Sequence, residues 1–236
     1  MSLAIQTAYL FLLHRESVER VPIGCKAFDA LLGGGVECGS VTLFYGEAGS
    51  GKTNICLQTA YNVAKTGKKV AYLDTEGLSY DRINQVFADK ESVKNLLVFQ
   101  IHSFEEQADR ISKVVRLCQA NDKIGLIVVD SLTMFYRLNY DDNSARNELT
   151  RESEMLLTVA RRSDIPVMIT SQVYTNIGSG TIEFLGGHAL HHNAKTIIRL
   201  DKRLNGKRTA VIIKHRSLPE GRSVYYRISE SGIESD

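Results

Sequence analysis

The chain is 236 residues long, 43% hydrophobic and 24% charged, with a formal net charge of +2. That length supports one sizeable core and leaves little for a second domain, and the composition excludes disordered and fibrous classes. No apolar run approaches the roughly 18 residues of a membrane span, so no membrane partner is expected.

Near the amino terminus "AYLFLL" is apolar but short, and "HRESVER" follows it without a small-residue cleavage site, which argues against a signal peptide. Residues 1–20 read as an N-terminal helix and linker, and 21–236 as a single core. In that core "VTLFY" (41–45), "VAYLD" (70–74), "LLVFQI" (96–101), "GLIVVD" (125–130) and "PVMITS" (166–171) are near-continuously apolar, as strands buried on both faces are. "TNICLQTAYNVAK" reads as a helix. So does "SFEEQADRISKVVRLCQAN", which places Ala108, Ile111, Val115 and Cys118 on one stripe and opens with a Ser103…Glu106 capping box. "ELTRESEMLLTVARRSD" is similar. Strands alternating with helices give an α/β fold with a mostly parallel twisted sheet covered on both sides. After residue 190, "KTIIRLD", "TAVIIKH" and "VYYRIS", joined by "RLNGKR" and "SLPEG", read as antiparallel hairpins extending the sheet. Residues 195–216 hold eight Lys or Arg against one Asp, either a solvated strand edge or a nucleic-acid patch. The cysteines (Cys25, Cys38, Cys56 and Cys118) form no C-x-x-C pair, so no zinc site or disulfide framework is expected and a reducing, cytoplasmic location is.

The stretch "GEAGSGKTN" matches G-x-x-x-x-G-K-[ST] at Gly46, Gly51, Lys52 and Thr53, between a predicted strand and a predicted helix. Glycines let backbone N–H groups turn inward around phosphates at the positive end of the helix dipole. The loop residues Glu47, Ala48, Gly49 and Ser50, with Asn54 just beyond, complete the candidate nucleotide site. Lys52 is expected to reach the β- and γ-phosphates, and Thr53 to ligate Mg²⁺. Asp130, ending "LIVVD", is the second metal carboxylate, or else a cap of the next helix. "VAYLDTEG" ends with Asp74 and Glu76 on the edge where ligands collect in open sheets. Glu76 is the candidate base, with a surface cap as the alternative. Gln172, past "MITS", is either a γ-phosphate contact or a loop residue.

These pieces, in this order, resemble the RecA-type recombinases, in particular the archaeal RadA and RadB group, over nearly the whole chain. "GSGKTNICLQ", "LDTEG" and "IVVDS" resemble the family's P-loop, catalytic-glutamate strand and Walker B strand. "TSQV", "GGHALHHNAKTIIRL" and "LPEG…YYRISESGIE" follow its later segments. The resemblance implies a RecA-like P-loop ATPase core that binds ATP with Mg²⁺ between neighbouring subunits, a homo-oligomer through the ATP interface. It also implies DNA bound by two loops, single strands better than duplex. Glu76 then matches the catalytic glutamate, Gln172 the γ-phosphate-sensing glutamine and Arg82 the arginine that packs on adenine, at a spacing one residue shorter than in the family. The first DNA loop corresponds to "RLNYDDNSARNELTRE", which carries Arg137, Arg146 and Arg151, with Arg146 the phosphate-gripping arginine. The second corresponds to "YTNIGSGTIEFLGG", and His192 matches a histidine linking nucleotide state to that loop.

Four departures bear on function. No helix-hairpin-helix domain precedes the core, as in RadB and unlike RadA. The family's Phe-x-x-Ala oligomerisation motif is replaced by "IQTA" (5–8), with Ile5 for Phe, which removes about 1–2 kcal/mol of burial per contact. The alternative for that segment is a helix packed on its own core. The second loop has no Lys or Arg between Val173 and Gly187, so its electrostatic grip on DNA is weak. Tyr174 and Phe184 remain for base stacking or for loop packing. Finally, Lys214 stands where RadA-like proteins carry an aspartate that helps bind a cation over a neighbour's ATP. Either Lys214 or Arg216 replaces that cation and touches the γ-phosphate in trans, or both are solvated strand-end charges. The expected function is a DNA-dependent ATPase of DNA repair and recombination with weak turnover, an accessory to a RadA-type recombinase. The alternatives are an autonomous strand-exchange recombinase and a non-hydrolysing ATP switch.

Overall fold

The computed structural model describes residues 18–120, 123–138, 143–175, 178, 180 and 182–236. In chain order these form β1 (Arg20–Val21), α1 (Lys26–Leu31), β2 (Val36–Glu37), β3 (Ser40–Gly46), α2 (Lys52–Ala64) and β4 (Lys69–Asp74). Next come α3 (Tyr80–Val86), α4 (Lys90–Val93), β5 (Leu96–Gln100), α5 (Phe104–Ala120), β6 (Ile124–Asp130), α6 (Met134–Leu138), α7 (Asn143–Ser163) and β7 (Pro166–Ser171). The remainder is β8 (Val173–Thr175), β9 (Ile182–Phe184), α8 (Gly187–Asn193), β10 (Thr196–Lys202), β11 (Arg208–Lys214), β12 (Ser223–Ser229) and β13 (Gly232–Ser235).

Nine strands make one sheet in the order β13-β12-β11-β10-β3-β7-β6-β4-β5. From β10 to β5 every pairing is parallel, and β10 through β13 are paired antiparallel. The cause is in the strand sequences. In β3, Leu43 and Tyr45 face one core while Phe44 faces the other; in β6, Ile127 and Val129 oppose Leu126 and Val128. Strands apolar on both faces need a cover on each side. One cover is α5, α7 and α8, which contribute Ile111, Leu156 and Leu190; the other is α1, α2 and α3, which contribute Phe28, Leu57 and Ile83. Each such side chain, fully buried, contributes about 1.5–3 kcal/mol.

The expected elements recur with small shifts of boundary, and β1, β2, β8, β9 and β13 join them. The β10–β11 turn uses Asn205 and Gly206 at φ 58° and 73°, the left-handed pair that suits a tight hairpin. The capping box forms: the Glu106 N–H donates to Ser103 Oγ at 3.2 Å, and the His102 N–H to Glu106 Oε2 at 2.9 Å. Ala108 is only half-buried; the stripe runs instead through Gln107, Ile111, Val114, Val115 and Cys118. The expected loop over residues 137–152 needs correction. Helix α7 begins at Asn143, so Arg146 and Arg151 are helical, because Ala145, Leu149, Leu156 and Ala160 supply a buried stripe that starts inside the expected loop. The segment carrying Ile5 lies outside the described residues, and no described helix is long and apolar enough to cross a membrane.

Candidate active site

The carboxyl ends of β3, β4, β6 and β7 meet at the start of α2. Gly46 is the first turning point. A Cβ there would lie 2.2 Å from the Leu200 carbonyl oxygen, so only glycine lets β3 pass β10 while entering the loop at φ 158°. Gly49 and Gly51 follow at φ 77° and 109°. Lys52 Nζ folds back onto the Gly46 and Glu47 carbonyls at 2.8 and 3.2 Å. Burial lowers the Lys52 pKa, while Asp130 and Glu76 act on it in the opposite direction, which places both carboxylates within its electrostatic reach.

Asp130 is 3% exposed and fully hydrogen-bonded. Its Oδ2 accepts from Thr53 Oγ1 at 2.7 Å and Tyr72 OH at 2.8 Å, and its Oδ1 from Thr170 Oγ1 at 2.5 Å. Burial raises its pKa, and these three donors pull it back. Tyr72 and Thr170 were not among the expected site residues; the only sign of them is a hydroxyl inside each of two otherwise apolar strands. The Thr53 hydroxyl beside a buried carboxylate is a hard oxygen pair of the kind Mg²⁺ takes.

Glu76 Oε1 accepts from Gln172 Nε2 at 2.9 Å and from Ser131 Oγ at 3.0 Å, so the candidate base and the candidate sensor touch. Asp74 builds the loop that delivers Glu76. Its carboxylate accepts the N–H groups of Glu76, Gly77 and Leu78 at 3.1, 2.9 and 2.7 Å, a turn that holds the following chain in place. Thr75 fastens this loop to β6, donating to the Ser131 carbonyl at 2.9 Å and accepting the Ser131 N–H at 2.8 Å. Arg82 Nε donates to Asn54 Oδ1 at 2.5 Å, and its remaining N–H groups go to Gln85 Oε1 and the carbonyls of Ser229, Glu230 and Gly232. That edge ties α3 to α2 and to the β12–β13 turn.

The family model described as Rad51 matches residues 14–236. The chain belongs to the Rad51 family. It is 44% identical over 218 residues to the DNA repair and recombination protein RadB of Archaeoglobus fulgidus, covering 91% of this chain and 97% of the relative. It is 44% identical over 221 residues to the protein of the same name from Methanococcoides burtonii, again with 91% and 97% covered. Among solved structures it resembles one described as the RadB recombinase, with TM-score 0.81 and 37% identity over 92% of this chain and 99% of the other. The Rad51-family relationship accounts for the RecA-like sheet and the placement of the loop.

The candidate DNA residues of this Rad51-family chain divide into groups. Arg146 and Tyr174 meet at a cavity of about 300 Å³, lined also by Tyr136, Phe184 and His188. Tyr174 OH donates to Glu183 Oε2 at 2.8 Å. His192 stacks on His188 with ring centroids 6.2 Å apart, beside this cavity. Arg137 instead faces the nucleotide side, donating to Gln172 Oε1 at 3.3 Å. Arg151 is held by Glu148 along the same helix at 2.5–3.1 Å. Phe184 packs on Tyr45 with centroids 5.1 Å apart, which joins the β8–β9 hairpin to the residue before Gly46.

Lys214 lies toward the amino-terminal edge of the sheet, away from its own phosphate loop. Its Nζ donates to the His191 and Ala194 carbonyls at 2.5 and 2.9 Å, capping α8. Arg216 pairs with the buried Glu37 at 2.7 Å, which Arg20 also holds at 3.0 Å. His215 Nδ1 accepts the N–H groups of Ser217 and Leu218, both at 3.1 Å.

Proposed function

We propose that this chain is a recombination accessory ATPase, which binds ATP with Mg²⁺ and DNA, hydrolyses ATP slowly, and assists a RadA-type recombinase. The observation that carries the reading is the contact of Glu76 with Gln172 and Ser131 within electrostatic reach of Lys52 and Asp130. A base that orients water, an amide and a lysine for phosphate charge are what phosphoryl transfer to water requires. Thr53 and Asp130 would hold Mg²⁺, whose chemistry is neutralisation of phosphate charge. Glu76 accepts the proton of the attacking water, and Lys52 stabilises negative charge on the phosphates. Arg146, Tyr174 and His188 around one cavity support contact with both the backbone and the bases of single-stranded DNA. The printed name of the relatives supports the recombination role. Phosphate release with and without single-stranded DNA tests the reading: wild type turns over and Lys52→Ala neither binds nor hydrolyses ATP. Equal activity in the two would end it.

Lys214 is assigned here to a neighbour's γ-phosphate. An ammonium has three donors, and two are used by carbonyls of its own chain. Its register opposite Ile197, at the far end of the sheet from its own loop, leaves a neighbouring copy's phosphate as the one it would reach. Lys214→Ala is expected to lower turnover at least ten-fold, on the scale of trans-acting cations, and to make it depend on added potassium. Unchanged rate and potassium dependence would remove Lys214 from the site.

A further inference from the structure

The outer rim of the phosphate loop is gripped by the carboxyl-terminal hairpins, which lie outside the nucleotide motif. Tyr226 of β12 is fully buried, and its hydroxyl donates to the Ser50 carbonyl at 2.7 Å. Arg208, which opens β11, donates from Nε to the Gly49 carbonyl at 3.1 Å and from Nη1 to the Gly206 carbonyl at 2.6 Å. Lys202 of β10 pairs with Glu47 at 3.1 Å. Three donors from one antiparallel unit therefore hold three residues of the loop.

The direction of these bonds matters more than their number. In a trans peptide the C=O and the following N–H point opposite ways. A Ser50 carbonyl drawn outward by Tyr226 turns the Gly51 N–H inward, where phosphate oxygens are expected. A Gly49 carbonyl drawn outward by Arg208 turns the Ser50 N–H inward, where it donates to the Glu47 carbonyl at 3.1 Å and closes the turn. Packing does not fix the apex, since among the described residues a Cβ on Gly49 would have nothing within 4 Å. Around Gly51 the opposite holds: a Cβ there would meet Ile228 at 3.4 Å and the Tyr226 ring at 3.5 Å. The ring is itself seated edge-on against Phe28, with centroids 5.5 Å apart.

We infer that Tyr226 and Arg208 are positioning residues of the phosphate loop, Tyr226 by turning the Gly51 N–H inward and Arg208 by holding the Glu47–Ser50 turn, before nucleotide arrives. The inference rests on the nucleotide reading above. It adds that the antiparallel hairpins serve the loop as a preorganising backstop as well as closing the sheet.

Equilibrium binding of N-methylanthraniloyl-ATP to the full chain tests it. Tyr226→Phe keeps the ring and deletes one bond, and it weakens binding about three- to ten-fold, the worth of one hydrogen bond. Arg208→Met does the same. Arg208→Gln carries an N–H donor as many bonds from the backbone as Nε, and it returns affinity to within about two-fold of wild type. A merely structural loss would not be rescued that way. Variants that bind like wild type, or an Arg208→Gln variant as weak as Arg208→Met, overturn the inference alone. A wild-type chain that binds no labelled ATP overturns the nucleotide reading with it.

Discussion

Glu76→Gln binds ATP within about two-fold of wild type and hydrolyses it roughly 10²–10⁴-fold more slowly, the usual worth of a general base. The substitution suits the site. The Gln172 amide and the Ser131 hydroxyl both donate to Glu76 Oε1, and a glutamine carbonyl in the same place accepts both. Geometry is kept and only the proton acceptor is lost. Single-turnover phosphate release, read against labelled-nucleotide affinity, separates the two effects. Should DNA repair function survive in Glu76→Gln although hydrolysis is lost, while Lys52→Ala abolishes it, ATP would act as a switch and turnover would be incidental.

Glu152→Gln is expected to stabilise the protein, and more so as pH rises. Glu152 is 0% exposed, on α7 against α5. Gln107 donates one amide N–H to Glu152 Oε2 at 2.7 Å and the other to the Leu132 carbonyl at 3.1 Å. Among the described residues, Glu152 Oε1 and Gln107 Oε1 are both buried without a hydrogen-bond partner. Burial pushes the Glu152 pKa from 4.5 to about 8, with Glu148 adding to the rise and Arg151 and the Gln107 bond opposing it. Between those two values the folded chain keeps a proton that the unfolded chain has released. Stability therefore falls by about 1.4 kcal/mol per pH unit as pH rises from about 4.5 toward 8, then levels off. At pH 7 the accumulated cost is about 3 kcal/mol. A glutamine cannot ionise, so it keeps an acceptor for the Gln107 amide without the pH-dependent cost. Urea unfolding at pH 5, 7 and 8.5 distinguishes the cases: wild type declines across the range while Glu152→Gln stays level. Parallel profiles would mean that Glu152 is ionised throughout.

The strands and the nucleotide loop were legible because both carry short-range signals. β3, β4, β6 and β7 are buried on both faces and read as unbroken apolar runs, and the loop's glycines obey a fixed spacing between strand and helix. Glu76 and Gln172 were legible as strand-end residues, but their mutual contact belongs to the order of strands in the sheet. The extent of α7 was also written in the chain, in the buried stripe of Ala145, Leu149 and Leu156; the family pattern of a DNA loop hid it. Glu152 and Gln107 were not legible at all. Each is an ordinary polar residue in a helix, and only the packing of α5 on α7 makes them a buried pair. The same holds for Tyr226, whose hydroxyl finds Ser50 176 positions away in sequence.

The placement of Lys214 has a consequence for stoichiometry. With Lys214 assigned to a neighbour's phosphates, a donor at one end of the sheet and a receiving loop at the other would suit head-to-tail joints, each completing one pocket. A linear string then holds one fewer completed pocket than it has members, and a lone copy holds none. Specific activity would climb with protein concentration and level off as strings lengthen. A larger protein offering a compatible edge could complete the terminal pocket and switch on the last copy in the row.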